Sequence, residues 1–243
     1  MNALITGGAN GLGLEIARKL HSDGFYTIVL DKIPQDRLNK IDLACYNEYH
    51  QIDLLDRNGL DELMGSIFSV HGRVDVLINN AALRSQNYFD EFAFEEIEKI
   101  VQLNYLIPLR IIHIIYPLMK KNNYGRIITI SSIAGFDGYE RGSMYCSTKS
   151  ALNIFTECFA MDILRSNQNI TTNVLCPDAF LSRESEKLSS YDFIVQHVLA
   201  TISRLIHSRR NGLVIPILMP QHRFSVLLHL IKNITVHFLR LQL

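Results

Sequence analysis

Tyr145 and Lys149 stand four positions apart in the run Tyr145-Cys146-Ser147-Thr148-Lys149. On a helix that spacing puts both side chains on one face, one turn from each other. An ammonium beside a phenol stabilises the phenolate, so such a Tyr can titrate below its ordinary value of about 10 and act as a general acid/base near neutral pH. Alone the pattern is weak, because most Y-x-x-x-K matches are a surface Tyr and a solvated Lys. Its weight comes from Ser131-Ser132-Ile133-Ala134-Gly135, which follows an apolar run that reads as a strand. Asn104, in the apolar helical stretch Val101-Gln102-Leu103-Asn104, needs partners if it is buried. None of the nine His has a partner that would make it catalytic, and no metal-binding cluster stands out.

A second set of residues reads as a phosphate site. Asn2–Thr6 has the make-up of a short buried strand, and Leu14–Leu20 has helical spacing. Between them lies Thr6-Gly7-Gly8-Ala9-Asn10-Gly11-Leu12-Gly13. Glycines there permit a tight turn and close backbone approach, and a helix N-terminus favours a pyrophosphate. Tyr26–Leu30 reads as the next strand and Asp31 ends it. A carboxylate at that position accepts hydrogen bonds from ribose hydroxyls and repels a 2′-phosphate, which favours NAD over NADP; the neighbouring Lys32 partly offsets the repulsion.

The elements that must position these groups alternate along the chain. Strands are expected at Tyr46–Ile52, Val74–Ile78, Gly125–Ser131, Asn173–Cys176 and Gly212–Ile217. Helices are expected at Asp56–Val70, over Tyr88–Lys121 in two parts with Pro108 at the junction, and from the Tyr145 turn to about Arg165. This alternation predicts an α/β fold, a doubly wound parallel sheet of Rossmann type with helices on both faces. No repeat, low-complexity run or linker divides the chain, so a single domain over 1–243 is expected.

The motifs, in this order and at these separations, resemble the short-chain dehydrogenase/reductase family in its short single-domain form. The spacing T-G-x-x-x-G-x-G resembles that family rather than other dinucleotide folds. The resemblance covers about residues 2–217 and implies an oxidoreductase of secondary alcohols and ketones. It implies that Tyr145 exchanges a proton with the substrate oxygen and that Lys149 tunes Tyr145 and bonds the nicotinamide ribose. It implies that Ser132 hydrogen-bonds the same substrate oxygen and that Asn104 holds a water linking Lys149 to solvent. Cofactor contacts implied are Gly7, Asn10, Gly11, Leu12, Gly13, Asp31, Asp53, Leu54, Asn80, Tyr145, Lys149 and Pro177. Two positions depart from the family pattern. Ala82 replaces the last Gly of Asn79-Asn80-Ala81-Ala82, and Asp178 replaces the Gly of Pro177-Asp178. A substrate lid is expected over about 178–208. The same motifs would serve a 3-oxoacyl-thioester reductase acting on a carrier-bound substrate, or a cofactor-binding protein with little turnover.

Composition narrows the partners. The chain has 243 residues, 48% hydrophobic and 20% charged, with zero formal net charge, which implies no bulk attraction to nucleic acid. The charge is uneven: Arg204, Arg209, Arg210, Arg223, Lys232 and Arg240 follow the last acid, Asp192. Over 221–243 a helix would gather Phe224, Leu227, Leu228, Ile231, Ile234 and Phe238 on one face and a basic set on the other. Such a helix is expected to pack in a homodimer or homotetramer, with peripheral contact to an anionic membrane as the second option. Cys45, Cys146, Cys158 and Cys176 lack C-x-x-C spacing, and no leader or uninterrupted apolar span stands out, so a cytoplasmic protein with reduced thiols is expected. Arg84, Tyr88, Asp137, Tyr139, Glu140 and Arg141 flank the site motifs, with Arg183 and Glu184 in the lid; this polarity points to a polar small-molecule substrate such as a sugar, a polyol or a phosphorylated metabolite.

Overall fold

Ala3, Leu4 and Ile5 are wholly buried, as a strand covered on both faces requires. The structure, a computed structural model, describes residues 1–38, 43–178 and 188–218. Seven parallel strands form one sheet: β1 (Asn2–Thr6), β2 (Tyr26–Asp31), β3 (Glu48–Gln51), β4 (Val76–Asn79), β5 (Gly125–Ile130), β6 (Ile170–Pro177) and β7 (Val214–Ile217). Their order across the sheet is β3-β2-β1-β4-β5-β6-β7, with every pairing parallel. The helices are α1 (Gly11–Ser22), α2 (Arg57–His71), α3 (Phe94–Val101), α4 (Ile107–Asn122), α5 (Ser143–Leu164) and α6 (Leu188–Ile206). The expected α/β doubly wound sheet is therefore present.

Neighbouring residues of each inner strand point to opposite faces, and so into two cores. Ile5, Val29, Ile78 and Ile128 meet Ile16, Leu20, Ile194, Val198 and Ile202 from α1 and α6. Leu4, Ile28, Leu77 and Ile127 meet Leu60, Met64, Ile111, Ile115 and Ile163 from α2, α4 and α5. Asp56 caps α2 by accepting from Gly59 N at 3.1 Å, and Gly72, at φ +67°, closes it in the left-handed conformation.

Phe94–Asn122 runs helical in the two parts expected, α3 and α4, joined by a π-helical turn over Gln102–Leu106 with Pro108 in the first turn of α4. It is long and apolar enough to cross a membrane by composition, yet its Ile107, Ile111, Ile115 and Met119 are spent on the core. β6 begins three residues before the expected Asn173, because Thr171 and Thr172 are buried despite their polarity. The lid expected over about 178–208 contains α6, whose Ile194 and Val198 are fully buried in the core on the face of α1. Residues 179–187, including Arg183 and Glu184, lie outside the described residues, as does the helix expected over 221–243.

Candidate active site

The sheet reverses its winding between β1 and β4, which leaves a crevice beyond their C-terminal ends. The Gly-rich turn fills one side of it. Gly7 takes φ +65°, and a Cβ there would lie 2.9 Å from Ala81 Cα. A Cβ on Gly13 would fall 2.0 Å from the Gly7 carbonyl oxygen, so α1 can start only this close to the turn with no side chain there. Gly11, at φ +52°, faces open space. Asn10 caps α1 by accepting from Gly11 N at 2.7 Å, and Leu12 is buried beneath.

The turn is tied to its surroundings on three sides. Asn80 donates through Nδ2 to Thr6 O and Gly7 O at 3.1 and 2.9 Å. Thr6 Oγ1 accepts from Asn80 N and Ala81 N, which locks the end of β1 to the end of β4. Tyr46 Oη donates to Gly8 O at 3.1 Å. Asp31 accepts from Ala9 N at 3.0 Å and from Ile33 N at 3.1 Å, so it braces the turn from β2. Asp53 accepts from Leu55 N at 3.0 Å, and Leu54 is buried after β3. An open glycine backbone at a helix N-terminus, with a carboxylate at the end of β2, fits a dinucleotide.

Ser132, Tyr145 and Lys149 come together where β5 ends against α5. Ser132 caps the short 3-10 turn Ile133–Gly135, accepting from Ala134 N at 3.2 Å, and its hydroxyl lies near enough to Tyr145 to oppose the rise in the phenol's pKa that burial causes. Ser131 Oγ donates to Lys149 O and Ser150 Oγ donates to Gly135 O, which stitches the loop to the helix. Gly135 is required by contact: a Cβ would lie 2.6 Å from Asn153 Nδ2. Lys149 is buried, its Nζ donating to Ile130 O at 2.9 Å and lying 5.6 Å from the Tyr145 ring centroid.

The sequence predicts a lowered Tyr145 phenol, and the structure gives the reverse. Burial pushes the phenol above its ordinary value, while the Ser132 hydroxyl and the Arg84 charge pull it down. The ammonium lies over the ring and spends a proton on Ile130 O. Lys149 is itself pushed down to about 8 by burial, with Cys176 acting against the shift. Burial pushes the Cys176 thiol up to about 12.

Asn104 sits on the π turn, buried, with its side chain fully engaged. Its Oδ1 accepts from Leu83 N at 2.7 Å, and its Nδ2 donates to Leu83 O at 2.8 Å and to Thr148 Oγ1 at 3.3 Å. It thus clamps the loop after β4 to the helix that carries Tyr145 and Lys149. The extra residue of a π turn displaces the helical bonding register, a feature common at functional sites. Pro177 ends β6, and Asp178 is buried with its N–H on Ile217 O at 2.8 Å. Asp178 is not among the positive-φ residues, so losing the family glycine costs no backbone strain there. Sequence reasoning missed Thr148 and Tyr46; each acts through a contact distant in the chain. Among the described residues no group of His, Cys, Asp and Glu is arranged to hold a metal.

A family model described as short chain dehydrogenase matches residues 1–191. The chain belongs to the short-chain dehydrogenase/reductase family, the NAD(P)-dependent oxidoreductases of CH–OH and C=O groups. A fatty acyl-CoA reductase of Acinetobacter baylyi is 33% identical over 70% of this chain and 60% of its own length, so this chain spans less than two thirds of that relative. A diacetyl reductase of Staphylococcus epidermidis is 32% identical over 72% of this chain and 69% of its own. A short-chain dehydrogenase from Streptomyces avermitilis superposes with TM-score 0.81 at 22% identity, over 99% of this chain and 94% of that one. ElxO with NADP bound gives 0.78 at 24% identity, over 89% and 96% of the two chains. A short-chain dehydrogenase from Leptospira borgpetersenii with bound NAD+ gives 0.77 at 20%, over 89% and 90%.

Proposed function

We propose that this protein interconverts a secondary alcohol and a ketone on a polar small molecule, with NAD as the preferred cofactor. The observation that carries the reading is the meeting of Ser132, Tyr145 and Lys149 at the end of β5, beside the Gly-rich crevice. When bound, the nicotinamide supplies or receives the hydride at the substrate carbon. The Tyr145 hydroxyl gives its proton to the substrate oxygen on reduction and takes one back on oxidation. Ser132 donates to the same oxygen and stabilises the charge that develops there. Lys149 is buried against the Tyr145 ring, and its positive charge favours the phenolate that remains after the proton leaves.

Tyr145→Phe tests the reading: turnover should fall by about three orders of magnitude or more, while cofactor affinity stays within about threefold. A Phe variant that retains turnover would remove Tyr145 from the chemistry. The cofactor preference rests on Asp31, a carboxylate at the end of β2 that would accept from ribose hydroxyls and repel a 2′-phosphate. Calorimetry should give a lower Kd for NAD(H) than for NADP(H); equal or reversed values refute the preference. A 3-oxoacyl thioester is the second reading, favoured by similarity to a ketoacyl reductase of Nostoc, 30% identical over 72% of this chain and 61% of its own length, and turnover of acetoacetyl-CoA above that of small ketones would establish it.

A further inference from the structure

We infer that the mouth of this site selects substrates carrying an anionic group, a carboxylate or a phosphate, a few bonds from the reacting oxygen, and that Arg84 holds that group. The inference rests on the oxidoreductase reading above and adds the substrate class to it.

Position is the first argument. Arg84 follows Leu83, whose N–H and C=O are both held by the Asn104 side chain at 2.7 and 2.8 Å. The same amide bonds Thr148, one residue before Lys149. The backbone that carries Arg84 is therefore fixed, through one buried residue, to the helix bearing the reactive pair. Its charge reaches both the Tyr139 and the Tyr145 phenols and, against the rise from burial, lowers each. Tyr139 in turn lies over the start of α5, since a Cβ on Gly142 would meet its ring at 2.7 Å. Arg84 itself is exposed, and among the described residues it joins no ion pair.

Charge is the second argument. Arg141 brings another cation to the same rim, held 5.1 Å over the Tyr88 ring from a backbone at φ +64°. A non-glycine residue in the left-handed region is strained by about 1 kcal/mol or more, and such strain gathers at ligand sites. Glu140, the acid between Tyr139 and Arg141, accepts from the Tyr88 hydroxyl at 2.7 Å. A guanidinium presents a planar fork matched to carboxylate and phosphate oxygens. Bound there, such an anion would face Arg84 while its ketone neighbour faces Tyr145.

The test uses the intact protein saturated with NAD⁺, which holds no hydride to transfer, titrated calorimetrically with two matched pairs. One pair is acetoacetate and methyl acetoacetate; the other is dihydroxyacetone phosphate and dihydroxyacetone. The anion of at least one pair should bind at least about tenfold more tightly than its neutral partner. The pair that shows it tells carboxylate from phosphate. Arg84→Gln should bring that ratio to within about threefold of one, and Arg84→Lys should restore part of it, since charge returns without the fork. A ratio near one for both pairs, no binding by any of the four, or an unchanged ratio in Arg84→Gln overturns the inference. The same four compounds with NADH separate the two claims. Anion-selective binding without turnover of any compound sinks the oxidoreductase reading and leaves the anion site standing. Turnover of neutral compounds without anion preference does the reverse.

Discussion

Lys149 is a buried cation whose fixed partner is a carbonyl, and this makes its charge a liability to the fold. Its folded value of about 8 lies below the ordinary 10.5 because burial penalises the ammonium. Between those two values the unfolded chain binds more protons than the folded one, so stability rises with pH across that window. The full gain is about 3 kcal/mol. Cys176, facing Lys149 from β6, has the opposite sign. Its thiol is raised from 9.0 to about 12, so the folded state holds the proton longer and stability falls with pH across that range. The two oppose each other above pH 9, leaving a net rise between about pH 8 and pH 9. Lys149→Met should abolish that rise and leave a steady loss at higher pH, read from urea midpoints at a series of pH values. Parallel profiles for the variant and the parent would show that Lys149 is not held at a lowered value.

At the scale of elements, the glycines separate positions that the fold needs from positions it tolerates. Gly13→Ala would drive a Cβ against the Gly7 carbonyl, and the only relief is to move α1 away from the turn. The expected outcome is a loss of cofactor affinity of about a hundredfold or more, with lowered stability. Gly65, in the middle of α2, is exposed and its Cβ would meet nothing within 4 Å. Gly65→Ala should therefore stabilise by about 0.5–1 kcal/mol without touching cofactor binding. Calorimetry and urea unfolding on both variants decide the contrast; equal effects would mean the turn yields more readily than its contacts imply. The same contrast explains what could be read from the chain alone. β1, β2, β4 and β5 are apolar runs bounded by turn residues, so they were legible, as was the Gly-rich turn between β1 and α1. The π turn was not, because a one-residue change of bonding register leaves the apolar spacing of Phe94–Asn122 almost intact. Nor was the clamp of Asn104 on Leu83, a contact between residues 21 positions apart. Lys149 and Tyr145 were legible as a pair, but the sign of the phenol shift depended on burial, which spacing does not reveal.

For the whole molecule, the question is what completes the core on the face of α1. The sheet buries side chains on two sides, and α2, α4 and α5 cover one of them. On the other, α1 alone leaves β5 and β6 uncovered, and α6 supplies the missing layer with Ile194, Val195, Val198, Ile202, Leu205 and Ile206. Their spacing is helical and wholly apolar, a pattern legible in the sequence, while the resemblance assigns the same stretch to a lid. The two roles predict different physics. A lid is drawn from the low-stability end of a fold, so trimming one of its side chains alters substrate capture and leaves global unfolding unchanged. A core layer behaves otherwise: Ile194 has no exposed surface, and Ile194→Ala removes buried methyl groups and leaves a cavity. We expect a cost of about 2–5 kcal/mol in urea unfolding, with one cooperative transition and an unchanged Kd for NAD(H). A variant that unfolds with the parent's midpoint while its affinity for substrate shifts would return this segment to the role of a lid.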